Sequence, residues 1–224
     1  FTGVNYYDGQ GFLVPRDLGV SSAKDLDGAT VCIQTGTTTE LNLADYFRSN
    51  NLSYEPVPIE TNAEGQQLYL AGACDVYTTD ASGLAATRAS FENPEDHVLL
   101  PEIISKEPLG PLVRHGDNEW ADIVSWTLNA LITAEELGVT SANIEELGAA
   151  PTGNPEVNRL LGTEGELGAM LGLEADWAKN AIAAGGNYGE LFEKNIGENT
   201  PIGLARGLNA MWTEGGLIYS PPFR

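Results

Sequence analysis

The stretch that decides the fold is residues 29–40, ATVCIQTGTTTE, in which an apolar run gives way to a glycine and three consecutive threonines. Residues 29–34 are apolar and β-branched, as in a buried strand, whereas from Thr38 onward apolar side chains recur at helical spacing. Gly36 therefore marks a turn between a strand and a helix. Such a turn leaves backbone N–H groups unpaired at the positive end of the helix dipole, which favours an anion-binding site.

The same alternation extends through the first half of the chain. Strands are predicted at residues 11–14, 57–59, 76–79 and 109–114, an extended segment at 98–104, and helices at 63–70 and 82–89. Strands that alternate with helices at this spacing predict an α/β fold with a parallel sheet built from βαβ units.

The second half is predicted to be helical. A long amphipathic helix at residues 120–133 has Ile123, Trp126, Leu128 and Leu131 as its expected core face. Further helices are predicted at residues 144–147, 155–161, 175–184, 188–193 and 208–212, without a convincing strand.

The threonines of the turn have two interpretations. Thr37 or Thr38 can cap the helix, with Glu40 completing a capping box, and the cluster then needs no ligand. However, one cap uses one hydroxyl, so at least one threonine is left to face a ligand at the carboxyl end of a parallel strand. The turn lacks the lysine and the spacing of a P-loop, so a carboxylate is a better candidate than a nucleotide phosphate.

A second polar strand end lies at residues 75–80, DVYTTD. If this strand neighbours the strand at 29–34, Asp80 lies beside Thr37 and Thr38. A ligand with an ammonium and a carboxylate would then meet Asp80 and the N–H groups of the turn. The alternative is that Asp80 caps the helix that follows it.

Charge excludes two classes of partner. With 32 acidic and 11 basic side chains the net charge is −21, which repels nucleic acid and anionic membranes. No apolar stretch is long enough for membrane insertion, and no signal peptide opens the chain.

Two cysteines are too few for a metal site. Cys32 and Cys74 lie in short apolar runs that could be neighbouring strands, so they are either buried thiols or a disulfide. A disulfide over this loop would contribute about 3–4 kcal/mol and would indicate an oxidising compartment.

An enzyme that acts on an amino acid is one alternative function. A threonine nucleophile needs an adjacent base, and both His97 and His115 are predicted to be solvated loop residues away from the strand ends. The other alternative is the ligand-binding sensory domain of a receptor.

Five segments of this sequence resemble the periplasmic substrate-binding proteins of polar amino-acid ABC transporters, most closely the general L-amino-acid-binding subgroup. They are FTGVNYYDGQGFLV, LDGATVCIQTGTTTELNLADYF, AGACDVYTTDASGLAA, EIISKEPLGPLVRHGDNEW and GLNAMWTEGGLIYSPPFR, and they run from end to end.

The resemblance implies a non-enzymatic, monomeric periplasmic protein of the type II binding-protein fold. Its two α/β lobes, joined by hinge strands, would close on a free L-amino acid of broad specificity and present it to a membrane permease. No cofactor or metal is implied. The ligand carboxylate would bind at Thr37 and Thr38, its ammonium at Asp80, and Gln34 and Thr39 would line the pocket. The resemblance also favours a disulfide between Cys32 and Cys74.

The resemblance further implies a division of the chain. Residues 1–10 would end lobe one and enter the hinge, residues 11–104 would form a complete lobe two, and residues 105–224 would return through the hinge to a strand and the helices of lobe one. Family members carry additional residues before the stretch that matches Phe1, including an arginine that clamps the carboxylate. Lobe one is therefore expected to be incomplete in this chain and to expose apolar surface.

Overall fold

The computed structural model describes residues 1–224 and contains two compact units. One unit is residues 8–108, and the other combines residues 1–7 with residues 109–224. The chain passes between them within two short paired strands, β1 (Tyr6–Asp8) and β7 (Glu107–Leu109). The range 11–104 predicted for lobe two falls inside the first unit, and its assignment as a lobe stays a prediction.

The unit 8–108 is built on a five-stranded sheet. Its strands are β2 (Gln10–Pro15), β3 (Ala29–Gln34), β4 (Tyr54–Ile59), β5 (Val76–Asp80) and β6 (His97–Leu99), in the order β4-β3-β5-β2-β6. β3 is parallel to β4 and to β5, but β2 runs antiparallel to β5 and β6. The prediction of a purely parallel sheet is therefore wrong. Helical crossovers fix the direction only of the strands that they join, and no helical crossover links β2 to β3.

Helices cover both faces of this sheet. They are α1 (Thr38–Ser49), α2 (Asn62–Leu70) and α3 (Ala81–Ser90). Alternate residues of β3 point to opposite faces, so Val31 and Ile33 pack in the cluster that contains Leu43 and Phe47 of α1, while Cys32 lies in the cluster with residues of α2 and α3.

Cys32 and Cys74 form a disulfide on the face covered by α2 and α3, with their Cα atoms 5.6 Å apart. This confirms the disulfide interpretation and rules out two free thiols. The bond joins residues 42 positions apart, so it ties β3 to the segment that leads into β5.

The edge strand β4 is longer than predicted because its prolines are tolerated there. Pro56 and Pro58 alternate with residues that bond to β3, so their missing N–H groups lie on the open side of the sheet. The strand predicted at residues 109–114 does not form, because prolines interrupt it. Regular pairing stops at Leu109, since Pro111 has no N–H to donate to a ladder.

The unit formed by residues 1–7 and 109–224 is helical. Its helices are α4 (Asn118–Glu136), α5 (Ile144–Leu147), α6 (Pro155–Leu161), α7 (Leu167–Met170), α8 (Trp177–Gly185) and α9 (Tyr188–Asn195). The predicted helix at 208–212 is wrong. The chain there forms two separate 3-10 turns, at residues 207–209 and 212–214, because Met211 pairs instead with Ile218.

The core face of α4 agrees with the prediction in part. The predicted residues Trp126, Leu128 and Leu131 are half-buried and pack against core clusters, whereas residues 130 and 132–134 are buried. The buried side chains cluster with residues of α6, α8 and α9, which pack against the carboxyl-terminal half of α4. Some large apolar side chains of this unit are exposed, with Leu112 at 74% and Met170 at 84%.

Candidate functional site

The polar ends of β3 and β5 lie at the same edge of the sheet. The two strands are parallel neighbours, with Val31 opposite Val76, so Gln34 and Asp80 both end at this edge. The antiparallel strand β2 begins there, and Gln10 lies opposite Asp80. Residues from three strands and the first turn of α1 therefore converge on one edge of the unit 8–108.

Thr37 is the N-cap of α1. Its hydroxyl oxygen accepts a hydrogen bond from the N–H of Glu40 at 3.3 Å, and its O–H donates to the carbonyl oxygen of Gln34 at 2.7 Å. The predicted capping box is only half formed. The carboxylate of Glu40 accepts from the N–H of Gly36 at 2.8 Å, one residue before the cap.

The other two threonines are spare, as the argument from hydroxyl counting predicted. Neither Thr38 nor Thr39 uses its hydroxyl in a hydrogen bond within the protein. Their backbone N–H groups belong to the first turn of α1, where a helix offers no acceptor. Thr38 is exposed and Thr39 is half-buried. Both can therefore donate to an anionic group that approaches the turn.

Asp80 occupies the N-cap position of α3 but does not cap it. Its side chain makes no capping hydrogen bond. Asp8 takes that role instead, because its carboxylate accepts from the N–H and the hydroxyl of Ser82, and Gly9 accepts from the N–H of Ala81 at 2.8 Å. The carboxylate of Asp80 is left without a hydrogen-bond donor from the protein.

The electrostatic environment of Asp80 favours a cation. Burial raises the pKa of the Asp80 carboxyl above its ordinary value, and the negative charges of Asp8 and Glu107 raise it further. A positively charged group placed among these three carboxylates would relieve their mutual repulsion. The edge thus combines free donors on α1 with an unpaired acid on β5.

Gln34 is held on the other side of β3. Its amide donates to the carbonyl oxygen of Glu60 at 2.8 Å, next to the end of β4. The structure therefore groups Thr37, Thr38 and Thr39 on the turn, but in this conformation it does not bring the side chain of Gln34 to Asp80.

Comparison with known proteins supplies the family. No protein-family model matches the chain. It is 67% identical to the glutamate/glutamine/aspartate/asparagine-binding protein of Rhodobacter capsulatus, over all of this chain and 66% of that protein. It is 58% identical to the general L-amino acid-binding periplasmic protein of Rhizobium johnstonii, again over all of this chain and 66% of that protein.

A solved structure has the same fold as this chain. The ABC transporter periplasmic binding protein from Brucella ovis, with glutathione bound, is 54% identical and superposes with a TM-score of 0.95. The match covers the whole of this chain and 70% of that one. The chain belongs to the periplasmic binding proteins of ABC transporters. This periplasmic binding protein spans about 66% of the length of the two curated relatives.

Two other properties bear on what the periplasmic binding protein does. None of its helices combines the length and apolarity that crossing a membrane requires. No group of three or more histidine, cysteine, aspartate or glutamate side chains is arranged to hold a metal ion.

His97 of the periplasmic binding protein does not provide a base for the turn. His97 pairs with Pro15, at the end of the sheet opposite Gln10 and Asp80. The prediction of a solvated loop residue is wrong for His97, because its Nδ1 lies 2.8 Å from the Tyr69 hydroxyl and its ring packs against that of Phe91.

Sequence reasoning missed three residues of the edge in this periplasmic binding protein: Asp8, Gln10 and Glu107. Asp8 and Gln10 flank a glycine near the start of the chain, and Glu107 lies far along it. Nothing local connects them to Asp80. Their only sequence signal is that they precede or follow segments predicted to be extended.

Proposed function

We propose that this protein is an extracytoplasmic solute-binding protein that captures free L-amino acids in the periplasm and delivers them to the permease of an ABC transporter. The observation that carries the proposal is the unpaired carboxylate of Asp80 beside a helix turn whose donors are also unpaired. An α-amino acid presents one cation and one anion a short distance apart, and so fits both.

In this proposal each end of the ligand has its own partner. The α-ammonium donates to Asp80, and the α-carboxylate accepts from the N–H and hydroxyl groups of Thr38 and Thr39. Thr37 supplies its N–H while its hydroxyl keeps the cap. Gln34 lines the pocket once its amide leaves the carbonyl of Glu60. Charge-assisted hydrogen bonds of this kind are about twice as strong as neutral ones.

The relatives support broad specificity. Their names and bound ligand include glutamate, glutamine, aspartate, asparagine, L-amino acids in general and glutathione. All of these carry an α-ammonium and an α-carboxylate, and glutathione carries them on its γ-glutamyl residue. Asp80 and the α1 turn bind only these shared groups, so the ligand side chain is contacted by other residues.

The unit 8–108 is proposed to act as the second lobe of the binding protein, with residues 109–224 contributing helices to the first. The protein works as a monomer that presents its ligand to the permease without entering the membrane. We further propose that it is a carrier and not an enzyme, since its relatives are named as binding proteins and His97 lies at the end of the sheet opposite Gln10 and Asp80, and that it needs no cofactor or metal.

Calorimetric titration of the purified full-length protein with each of the twenty amino acids tests the proposal. We expect saturable binding of several chemically different amino acids at one site, and recovery of each ligand unchanged. Binding of none of the twenty would overturn the proposal, and chemical conversion of a bound amino acid would favour the enzyme.

Calorimetry is preferable to tryptophan emission for this purpose. All four tryptophans, at positions 120, 126, 177 and 212, lie in the unit formed by residues 1–7 and 109–224. None lies in the unit that carries Asp80 and the α1 turn, so emission would not report directly on ligand contact there.

A further inference from the structure

Gln10 connects the two parts of the candidate site. Its side-chain Nε2 donates one hydrogen bond to the carbonyl oxygen of Thr39 at 3.1 Å and another to the hydroxyl oxygen of Thr78 at 3.0 Å. Thr39 belongs to the first turn of α1, and Thr78 belongs to β5, two residues before Asp80. One amide therefore spans from the turn with the free donors to the strand that ends in the free acid.

The orientation of this amide is fixed by its neighbours. The carbonyl of Thr39 can only accept, so the NH₂ group must face it. The Thr78 hydroxyl donates to the carbonyl oxygen of Gly11 at 2.7 Å and so offers its own oxygen to Gln10 as an acceptor. The bonds form a directed chain that leaves no freedom to exchange the oxygen and nitrogen of the amide.

The amide has an uncompensated cost. Gln10 is only 1% exposed, and its Oε1 is buried without a hydrogen-bond partner. A buried acceptor without a donor destabilises a fold, and an apolar side chain of the same size would avoid the penalty. Local rules that are broken inside a well-packed sheet point to a role at a functional site.

We propose that Gln10 is a positioning residue for the amino-acid site. Its two hydrogen bonds hold the first turn of α1 at a fixed separation from β5, so that the donors of Thr38 and Thr39 and the carboxylate of Asp80 match the two charges of one ligand. Gln10 itself is too buried to contact the ligand. This inference rests on the proposed function. It adds the residue that sets the distance between the α1 turn, which binds the carboxylate, and Asp80, which binds the ammonium.

The test replaces Gln10 by methionine, which keeps the volume and removes both hydrogen bonds. The matched control is Gln66→Met. Gln66 donates from its Nε2 to the hydroxyl of Thr87 at 3.1 Å in the same unit, but towards the carboxyl end of α3 and away from the edge. Both variants lose a glutamine–threonine bond, and only one loses a contact with the α1 turn.

We expect Gln10→Met to weaken the binding of glutamine, measured by calorimetry, about tenfold or more, because the turn and β5 are no longer held at the separation that the ligand requires. Gln66→Met should bind glutamine as tightly as the wild type. If Gln10→Met does not fold, Thr78→Val removes one of the two anchors and should weaken binding in the same direction by a smaller factor.

A double-mutant cycle with Thr38→Pro separates positioning from general stability. Because Gln10 acts through the turn, its effect on affinity should be smaller once the donors of Thr38 are removed and only those of Thr39 remain, whereas its effect on melting temperature should persist.

Unchanged affinity in Gln10→Met, or a loss fully additive with that of Thr38→Pro, overturns the role of Gln10 while leaving the proposed function intact. Failure of the wild type to bind any amino acid overturns both.

Discussion

Replacement of Asp80 by asparagine should weaken ligand binding and stabilise the fold at the same time. In the proposed site the carboxylate is the partner of the ligand ammonium. In the unliganded protein it has no donor and lies among other acids. The same change therefore removes an attraction from the complex and a repulsion from the free protein.

The magnitude of the binding loss follows from the surroundings of Asp80. Removing one member of a hydrogen-bonded charge pair at a buried interface costs about 2–5 kcal/mol. Asp80 is half-buried, and Asp8 and Glu107 remain to keep the local potential negative. The lower part of the range then applies, about 2–3 kcal/mol, which raises the Kd for an amino acid roughly 30- to 160-fold.

The gain in stability is smaller and depends on pH. Solvent screens a half-exposed carboxylate, so the free energy of unfolding should rise by at most about 1 kcal/mol near neutral pH. The pKa of Asp80 is raised above its ordinary value of 3.8 in the folded state. Its favourable contribution to stability is present below pH 3.8 and is lost as the pH rises through the raised pKa. The advantage of the variant should therefore disappear near pH 3.8.

Asp75→Asn is the control, since Asp75 is also half-buried and immediately precedes β5. Its carboxylate accepts from the N–H and the hydroxyl of Thr30, at 2.9 and 2.7 Å. Weakening these bonds should destabilise the fold by about 1 kcal/mol without changing Kd. Calorimetry and chemical denaturation measure the two quantities. An Asp80→Asn protein that binds amino acids as the wild type does, or that is clearly less stable, would refute the reasoning.

Three further predictions concern the turn, the disulfide and the half-buried His97. Thr38→Pro removes one N–H and one hydroxyl at a helix position that accepts proline, so calorimetry should show at least tenfold weaker binding while the melting temperature changes little; a large drop in melting temperature would contradict this. The Cys32→Ser/Cys74→Ser variant should lose about 4 kcal/mol for a separation of 42 residues, and calorimetric melting of the 8–108 unit should fall by about 15–30 °C; an unchanged transition would show that the bond adds nothing. Burial lowers the pKa of His97 below 6.5, so its stabilising contribution should be lost as the pH falls below that value, and His97→Phe should remove that part of the pH dependence measured by urea denaturation; an equal slope in both proteins would exclude His97 as its source.

Local patterns were sufficient for much of the fold of the unit 8–108. The strand β3 and the helix α1 begin and end close to where periodicity and capping residues put them. β-Branched residues indicate a strand, and apolar residues that recur every three to four positions indicate a helix. Both signals lie within about a dozen consecutive residues. Strand positions left Cys32 and Cys74 as either free thiols or a disulfide, and the family resemblance favoured the disulfide that the structure contains.

Predictions that depended on distant partners failed or were incomplete. The direction of β2 in the sheet and the buried face of α4 are both set by segments far along the chain. Periodicity reports that a residue faces something apolar, but not which segment covers it.

The candidate site divides in the same way. Sequence patterns were enough to predict that residues 34–40 form a turn with more donors than its helix cap needs, and that a polar strand ends at Asp80. The folded arrangement was needed to see that Asp8 caps α3 and leaves Asp80 free, and that Gln10 links the turn to β5. The physical reason is that capping and helix dipoles act within one turn, whereas the charge and the partners of a carboxylate depend on which residues folding brings beside it.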